Sequence, residues 1–242
     1  MHPVICKIGP FTIYSYGYML ALAFMVSLIL VRKQAIRRQI DFDIIFNFSF
    51  LAFIFGIIGA RIFYIAENID YYIKNPLEII MLQRGGLSWF GGLILGGLAG
   101  ILFLKNKKSA IYPILDLIMP FVALAQAIGR IGCLLNGCCF GKASRFGIYF
   151  PVHDSVLIPT QIYSSLILIL IFIILRFLQE GPHKEGQIFF TYLLLYSLKR
   201  FFIEFWRADN TVIFSGMTLF QLISILIFFL SFIKLLLINK AK

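Results

Sequence analysis

Apolar residues in this chain arrive in long blocks rather than at the spacing of an amphipathic helix or strand, and short polar breaks separate the blocks. A membrane-spanning helix needs roughly 20 apolar residues. The pattern predicts seven such helices, over about 11–31, 44–66, 88–104, 110–130, 159–178, 187–206 and 214–237. The expected fold class is all-α, a polytopic membrane protein built as one helical domain over residues 1–242. The opening MHPVICKIG lacks the charged region and small-residue cleavage site of a signal peptide, so the first block is expected to remain as a helix.

Composition removes the soluble alternatives. Of 242 residues, 60% are hydrophobic and only 14% charged, too few polar groups to cover a water-facing surface. The formal net charge of +11 would point to nucleic acid in a soluble protein. Here topology accounts for it. Arg32, Lys33, Arg37 and Arg38, then Lys105, Lys107 and Lys108, then Lys184, and finally Lys240 and Lys242 fall in alternate breaks. The positive-inside rule makes those breaks cytoplasmic, with the N-terminus outside and the C-terminus cytoplasmic. Nucleic acid is not an expected partner; membrane lipid is.

Arg61, Arg84, Arg130, Arg200 and Arg207 do not fit that scheme, since they sit inside spans or at their outer ends. Singly, each reads as readily as a side chain snorkelling to headgroups or a structural ion pair. Five together point to function. Gly129-Arg130-Ile131-Gly132-Cys133 and Asn136-Gly137-Cys138-Cys139-Phe140-Gly141 run from the fourth span into an outer loop, with an arginine fork suited to phosphate or carboxylate. Tyr196, Arg200, Glu204 and Arg207 share one helical stripe, where a purely structural Arg–Glu pair is the competing reading. Gly85-Gly86 and Gly91-Gly92 flank Trp89-Phe90 at the start of the third span, where free N–H groups can hold an anion, whereas Gly96 and Gly100 read as packing. Pro159-Thr160-Gln161-Ile162-Tyr163 opens the fifth span, and Tyr14, Tyr16 and Tyr18 open the first, where tyrosines commonly anchor at the interface.

In chain order, Tyr16-Gly17, Gly59-Ala60-Arg61, Gly85-Gly86-Leu87-Ser88 with Gly91-Gly92, Asp116 and Pro120, the Gly129-to-Gly141 signature, the Pro-Thr-Gln-Ile-Tyr motif, and Arg200, Glu204 and Arg207 resemble the prolipoprotein diacylglyceryl transferase family nearly end to end. The resemblance implies a seven-span inner-membrane enzyme needing no cofactor. It would transfer the diacylglyceryl group of phosphatidylglycerol to the lipobox cysteine of lipoprotein precursors. By the family's pattern Arg130, Arg200, Glu204 and Tyr16 are the candidate catalytic residues. Arg130, Asn136, Gly141, Arg207, Arg61, Gly91 and Gly92 are the candidates for holding substrate.

Four polar positions depart from that pattern. Phe90 stands where the family commonly has histidine, Cys133 where it has asparagine and Cys138 where it has glutamate, and Ser164 replaces another frequent glutamate. Phenylalanine cannot take a proton. A thiolate beside Arg130 could, or could act as nucleophile, which makes Cys133 and Cys138 candidate substitutes. A Cys133–Cys138 disulfide is the competitor. No metal site is read here, because the adjacent Cys138 and Cys139 make poor joint zinc ligands without a nearby partner and His153 is far along the chain. Two further readings stay open. One is a diverged relative that binds anionic phospholipid and uses another acceptor; the other is a membrane thiol-disulfide oxidoreductase working through Cys133, Cys138 and Cys139. The stretch from Gly141 to Ile158 is either a lid or a surface loop.

Overall fold

The structure, a computed structural model, describes residues 1–8, 11–81, 86–208, 210, 212–214 and 216–240; Arg84, Gly85 and Lys242 lie outside them. Every expected apolar block contains a long helix, because lipid offers backbone groups no hydrogen bonds and the helix satisfies them internally. These are α1 (Ser15–Arg37), α2 (Phe42–Glu67), α4 (Trp89–Asn106), α5 (Ile111–Asn136), α6 (Thr160–Glu180), α7 (Gln187–Glu204) and α8 (Leu219–Lys240), with a short α3 (Ile69–Lys74) after α2. Five of them, α1, α2, α5, α6 and α8, are long and apolar enough to cross a bilayer. Helix α4 is shorter, and α7 carries Lys199, Arg200 and Glu204 in its last turns.

Strands interrupt the all-α expectation. β1 (Val4–Ile8) and β2 (Phe11–Tyr14) form a hairpin, so α1 starts at Ser15 rather than near residue 11, with Ser15 N–H donating to Pro3 O at 2.9 Å. β3 (Ala143–Phe150) and β4 (Ser155–Leu157) pair within the loop whose form was left open. A last hairpin, β5 (Val212–Phe214) with β6 (Met217–Thr218), delays α8 to Leu219.

The chain forms two compact units: Met1–Gln34 with Leu115–Lys242, and Ala35–Ile114. In the smaller unit α2 and α4 cross with backbone against backbone. A Cβ at Gly91 would lie 2.2 Å from Gly59 O and 2.6 Å from Phe63 Cβ, and one at Gly96 would lie 2.6 Å from Ala52 O. Small residues are therefore obligatory at this crossing. The buried Arg61 leaves α2 sideways. Its Nε donates to Ile79 O at 3.0 Å, Nη1 to Gly86 O at 2.9 Å, and Nη2 to Glu78 O, while its guanidinium lies 5.2 Å from the Tyr72 ring centre.

In the larger unit Ala123, Ala127, Leu168, Ile171, Leu175, Ile188 and Tyr192 pack together between α5, α6 and α7. Pro120 lies inside α5 and has no N–H for the carbonyl of Asp116, four residues back. The buried Gln179 of α6 supplies the missing donor, its Nε2 reaching Asp116 O at 2.8 Å and Leu117 O at 3.1 Å. The Asp116 carboxylate in turn accepts from Gly186 N (2.6 Å) and Phe189 N (2.8 Å), capping the first turn of α7. Near the same end Lys184 Nζ donates to Ile238 O at 3.0 Å, closing the C-terminal turn of α8.

Candidate functional site

At the opposite end of the larger unit, α5 finishes in a turn that places its cysteines. Gly132 has Met19 and Tyr16 of α1 against it, a Cβ there lying 2.9 Å from Met19 Cβ, and this close approach carries Tyr16 to the end of α5. Gly137 takes φ +77°, and Cys139 takes φ +62°, a left-handed conformation that non-glycine residues adopt uncommonly. Cys138 N donates to Cys133 O at 3.1 Å across the turn. From the start of α6, Thr160 Oγ1 donates to Cys139 O and Gln161 Nε2 to Cys138 O, both at 2.6 Å. The Pro-Thr-Gln-Ile-Tyr motif is thus the clamp on the cysteine turn.

The three sulfurs of Cys133, Cys138 and Cys139 converge, all lying within 4.8 Å of one another. All three are free thiols, and the Cys133–Cys138 disulfide is not formed. Cys138 and Cys139 were read as poor joint ligands without a nearby partner; the left-handed Cys139 turns both side chains to the same side, where Cys133 meets them. Hydrogen bonds with the Cys133 and Cys138 thiols, followed by the charges of Arg130 and Arg207, hold the Cys139 thiol below its ordinary value against the opposing effect of burial. His153 also comes back to this turn, despite its distance in sequence, through β3–β4. Its Nε2 lies 2.8 Å from Gly137 O, and its ring is 4.0 Å from that of Phe140.

Gly141 joins three segments. Its N–H donates to Ile158 O at 2.9 Å, it bridges to Arg207, and a Cβ on it would sit 2.8 Å from both Ile158 O and Trp206 O. The role of Gly141 is close backbone approach, which seats Arg207 beside the cysteine turn.

Helix α7 supplies the remaining polar groups. Arg200 Nη2 approaches Glu204 Oε2 at 3.1 Å, and the Arg200 guanidinium stacks 4.3 Å from the centre of the Phe220 ring. Glu204 is 3% exposed; Oε1 accepts from Asn210 Nδ2 at 2.6 Å and Thr218 Oγ1 at 2.8 Å. Its other oxygen, Oε2, forms the ion pair without hydrogen-bond alignment and has no hydrogen-bond partner among the described residues. The 3.1 Å contact is therefore best described as Coulombic, leaving an acceptor direction open. Arg130 shares electrostatic contact with Cys133, Cys139, Tyr196 and Arg207, and Tyr16 with the same cysteines and Arg130.

Of the sequence candidates, Tyr16, Arg130, Cys133, Asn136, Cys138, Gly141, Arg200, Glu204 and Arg207 all belong to the larger unit. Arg61, Gly91 and Gly92 belong to the smaller one. There Arg61 engages backbone carbonyls, Gly91 packs on Gly59, and Gly92 N–H bonds Ser88 O at 3.3 Å within its own helix, so Gly92 offers no free donor to an anion. Lys199 was missed. It is 4% exposed, its Nζ lies 5.0 Å from the Tyr196 ring centre, and its electrostatic neighbours are Arg130, Arg200, Arg207 and Cys139. Its position three residues after Tyr196, on the same helical face, is the signal that could have found it. The result is a cluster of basic side chains, Lys199 and Arg200 buried and Arg130 and Arg207 half-buried, in which Glu204 pairs with Arg200, an arrangement suited to a phosphate.

The prolipoprotein diacylglyceryl transferase family model matches residues 3–237. Among curated relatives, the chain is 36% identical over 232 residues to phosphatidylglycerol–prolipoprotein diacylglyceryl transferase of Clostridium tetani, covering 93% of each protein. It is 35% identical over 239 residues to the protein of that name from Streptococcus mutans (94% of this chain, 91% of the relative) and 34% identical over 230 residues to that from Enterococcus faecalis (89% and 83%).

Proposed function

The chain belongs to the prolipoprotein diacylglyceryl transferase family, and from that premise we propose how its residues move a diacylglyceryl group from phosphatidylglycerol to the lipobox cysteine thiol of a lipoprotein precursor. It is a transferase and a multi-pass membrane protein. The observation that carries the residue assignment is the convergence of Arg130, Lys199, Arg200 and Arg207 on one locus, with Glu204 paired to Arg200.

The acceptor sulfur attacks the glycerol carbon that bears the phosphodiester. A carbon–sulfur bond forms, the carbon–oxygen bond breaks, and its electron pair leaves with glycerol phosphate. Charge grows on the departing phosphate, so donors aimed at it in a low-dielectric site lower the barrier. Arg130 and Arg200 take that role, Arg207 and Lys199 add positive potential, and Glu204 fixes the Arg200 guanidinium. The open Oε2 of Glu204 suits a glycerol hydroxyl of the headgroup. Tyr16 and Asn136 border the same locus. Arg61, Gly91 and Gly92 keep the α2–α4 unit in shape.

The proposed setting is the bacterial inner membrane, with seven spans in one domain, the N-terminus and the site on the outer side, and the C-terminus cytoplasmic. Support comes from the alternating lysine and arginine breaks. The larger unit also gathers Met1, the cysteine turn and Arg207 at one end and Lys184 with the end of α8 at the other. The comparisons do not favour the oxidoreductase reading or a different acceptor.

The test is complementation in a bacterium depleted of its own diacylglyceryl transferase, with mass spectrometry of a reporter lipoprotein. Diacylglyceryl-cysteine is expected, and Arg130→Ala should lower transfer by about 10²–10³-fold, the usual effect of losing one donor to developing charge. An inserted, stable protein that yields no modification would refute the reading.

A further inference from the structure

The approach of Cys133, Cys138 and Cys139 plays no part in the transfer chemistry above, yet several bonds act together to produce it. The turn holds two residues at positive φ, and Thr160 and Gln161 fix the carbonyls of Cys139 and Cys138 from another helix. We propose that the three sulfurs hold a zinc ion whose fourth position takes the thiol of the acceptor cysteine, an inference that rests on the transferase reading and deepens it.

Distance, ligand type and charge each fit. Sulfurs about 2.3 Å from a tetrahedral zinc stand about 3.8 Å apart; these three already lie within 4.8 Å of one another. Closing the difference takes small side-chain rotations. Three sulfur ligands favour a soft or borderline cation over magnesium or calcium. No fourth His, Cys, Asp or Glu joins the group among the described residues, and three protein ligands with an open fourth position is the arrangement of a catalytic zinc rather than a closed structural one. His153 points its Nε2 at Gly137 O, outside the group. Zinc with three thiolates carries a net charge of about −1, and the cations facing Cys139 are Arg130 and Arg207. Beside the turn, Gln161 is 1% exposed and its Oε1 has no hydrogen-bond partner among the described residues, although Nε2 is bound to Cys138 O. That buried acceptor suits a water or thiol donor arriving at the fourth position.

The chemistry answers the absence of a base at Phe90. A thiol that coordinates zinc releases its proton to solvent, and the bound thiolate is the nucleophile. Its sulfur then forms the bond to the glycerol carbon, while the carbon–oxygen bond breaks and its electron pair leaves on the phosphate held by Arg130 and Arg200. The product thioether is neutral, a weaker ligand than a thiolate, and departs; zinc remains divalent throughout.

Full-length protein purified in detergent from zinc-supplemented cells is expected to hold about one zinc per chain by elemental analysis, and Cys133→Ser, Cys138→Ser and Cys139→Ser should each lose it. Cobalt put in place of zinc should show sulfur-to-cobalt charge-transfer absorption, and its visible bands should shift on adding a peptide with the acceptor cysteine but not one with serine there. Chelator-stripped protein should transfer about 10²-fold more slowly or worse, and recover with zinc. Retention of no metal, a cobalt spectrum indifferent to the cysteine peptide, or undiminished transfer by zinc-free protein would each overturn the zinc site, the last while leaving the transferase reading intact. Zinc and a peptide-responsive cobalt spectrum without any transfer would uphold the site and overturn that reading.

Discussion

Replacing Glu204 by glutamine isolates the carboxylate's charge with little change of shape. At 3.1 Å from Arg200 and an effective dielectric near 20, the Coulomb attraction is about 5 kcal/mol. Asn210 and Thr218 both donate to Oε1, so the amide must turn its oxygen toward them and its NH2 toward the Arg200 guanidinium, donor against donor. Removing one member of a buried pair typically costs about 3–5 kcal/mol, because the other charge is left uncompensated. For a chain of 242 residues that corresponds to a fall in Tm of about 6–20 °C. The assay is thermal unfolding in detergent followed by intrinsic fluorescence, for Glu204→Gln, Arg200→Met and the double variant. The double variant should be more stable than the sum of the single losses by about 2 kcal/mol or more, since it leaves no orphan charge. A Glu204→Gln protein melting within about 3 °C of the parent, or strictly additive losses, would show that the pair is not what holds this end of α7.

Gly91→Ala should lower thermal stability by about 1–3 kcal/mol, because its Cβ would meet Gly59 O at 2.2 Å and force α2 from α4; Gly97→Ala, which meets nothing within 4 Å, is the matched control and should leave the melting point unchanged. Asp116→Asn leaves one carbonyl oxygen to serve both Gly186 N and Phe189 N. A loss of about 1.4 kcal/mol in that cap should speed amide exchange about tenfold in the first turn of α7, and exchange unchanged there would refute the cap.

The helices were legible because lipid imposes one rule on every apolar block, and each block did become a helix. Their ends were not: Phe11–Tyr14 and Val212–Phe214 are apolar like the helices beside them, and only pairing across a turn makes them strands. At the site, helical spacing put Arg200 and Glu204 on one face of α7; Arg207, expected on the same stripe, lies beyond the end of that helix at Glu204 and is seated instead by its bridge to Gly141. The cysteine turn resisted the same treatment. Its convergence depends on the left-handed backbone at Cys139 and on Thr160 and Gln161, more than twenty residues on, whose hydroxyl and amide could not be assigned carbonyl partners beforehand. Arg61, read from the sequence as a substrate ligand, donates in the structure to the carbonyls of Ile79, Gly86 and Glu78, partners that no spacing rule could have assigned.

Pro120 and Gln179 form a compensating pair, one residue deleting a backbone donor and the other restoring it from a neighbouring helix. A relative with an ordinary residue at 120 would have its own N–H for the carbonyl of 116, and the amide at 179 would then serve only Leu117 O. The two positions should therefore change together across descendants of a common ancestor. A joint swap such as Pro120→Ala with Gln179→Leu should be tolerated where Gln179→Leu alone is not.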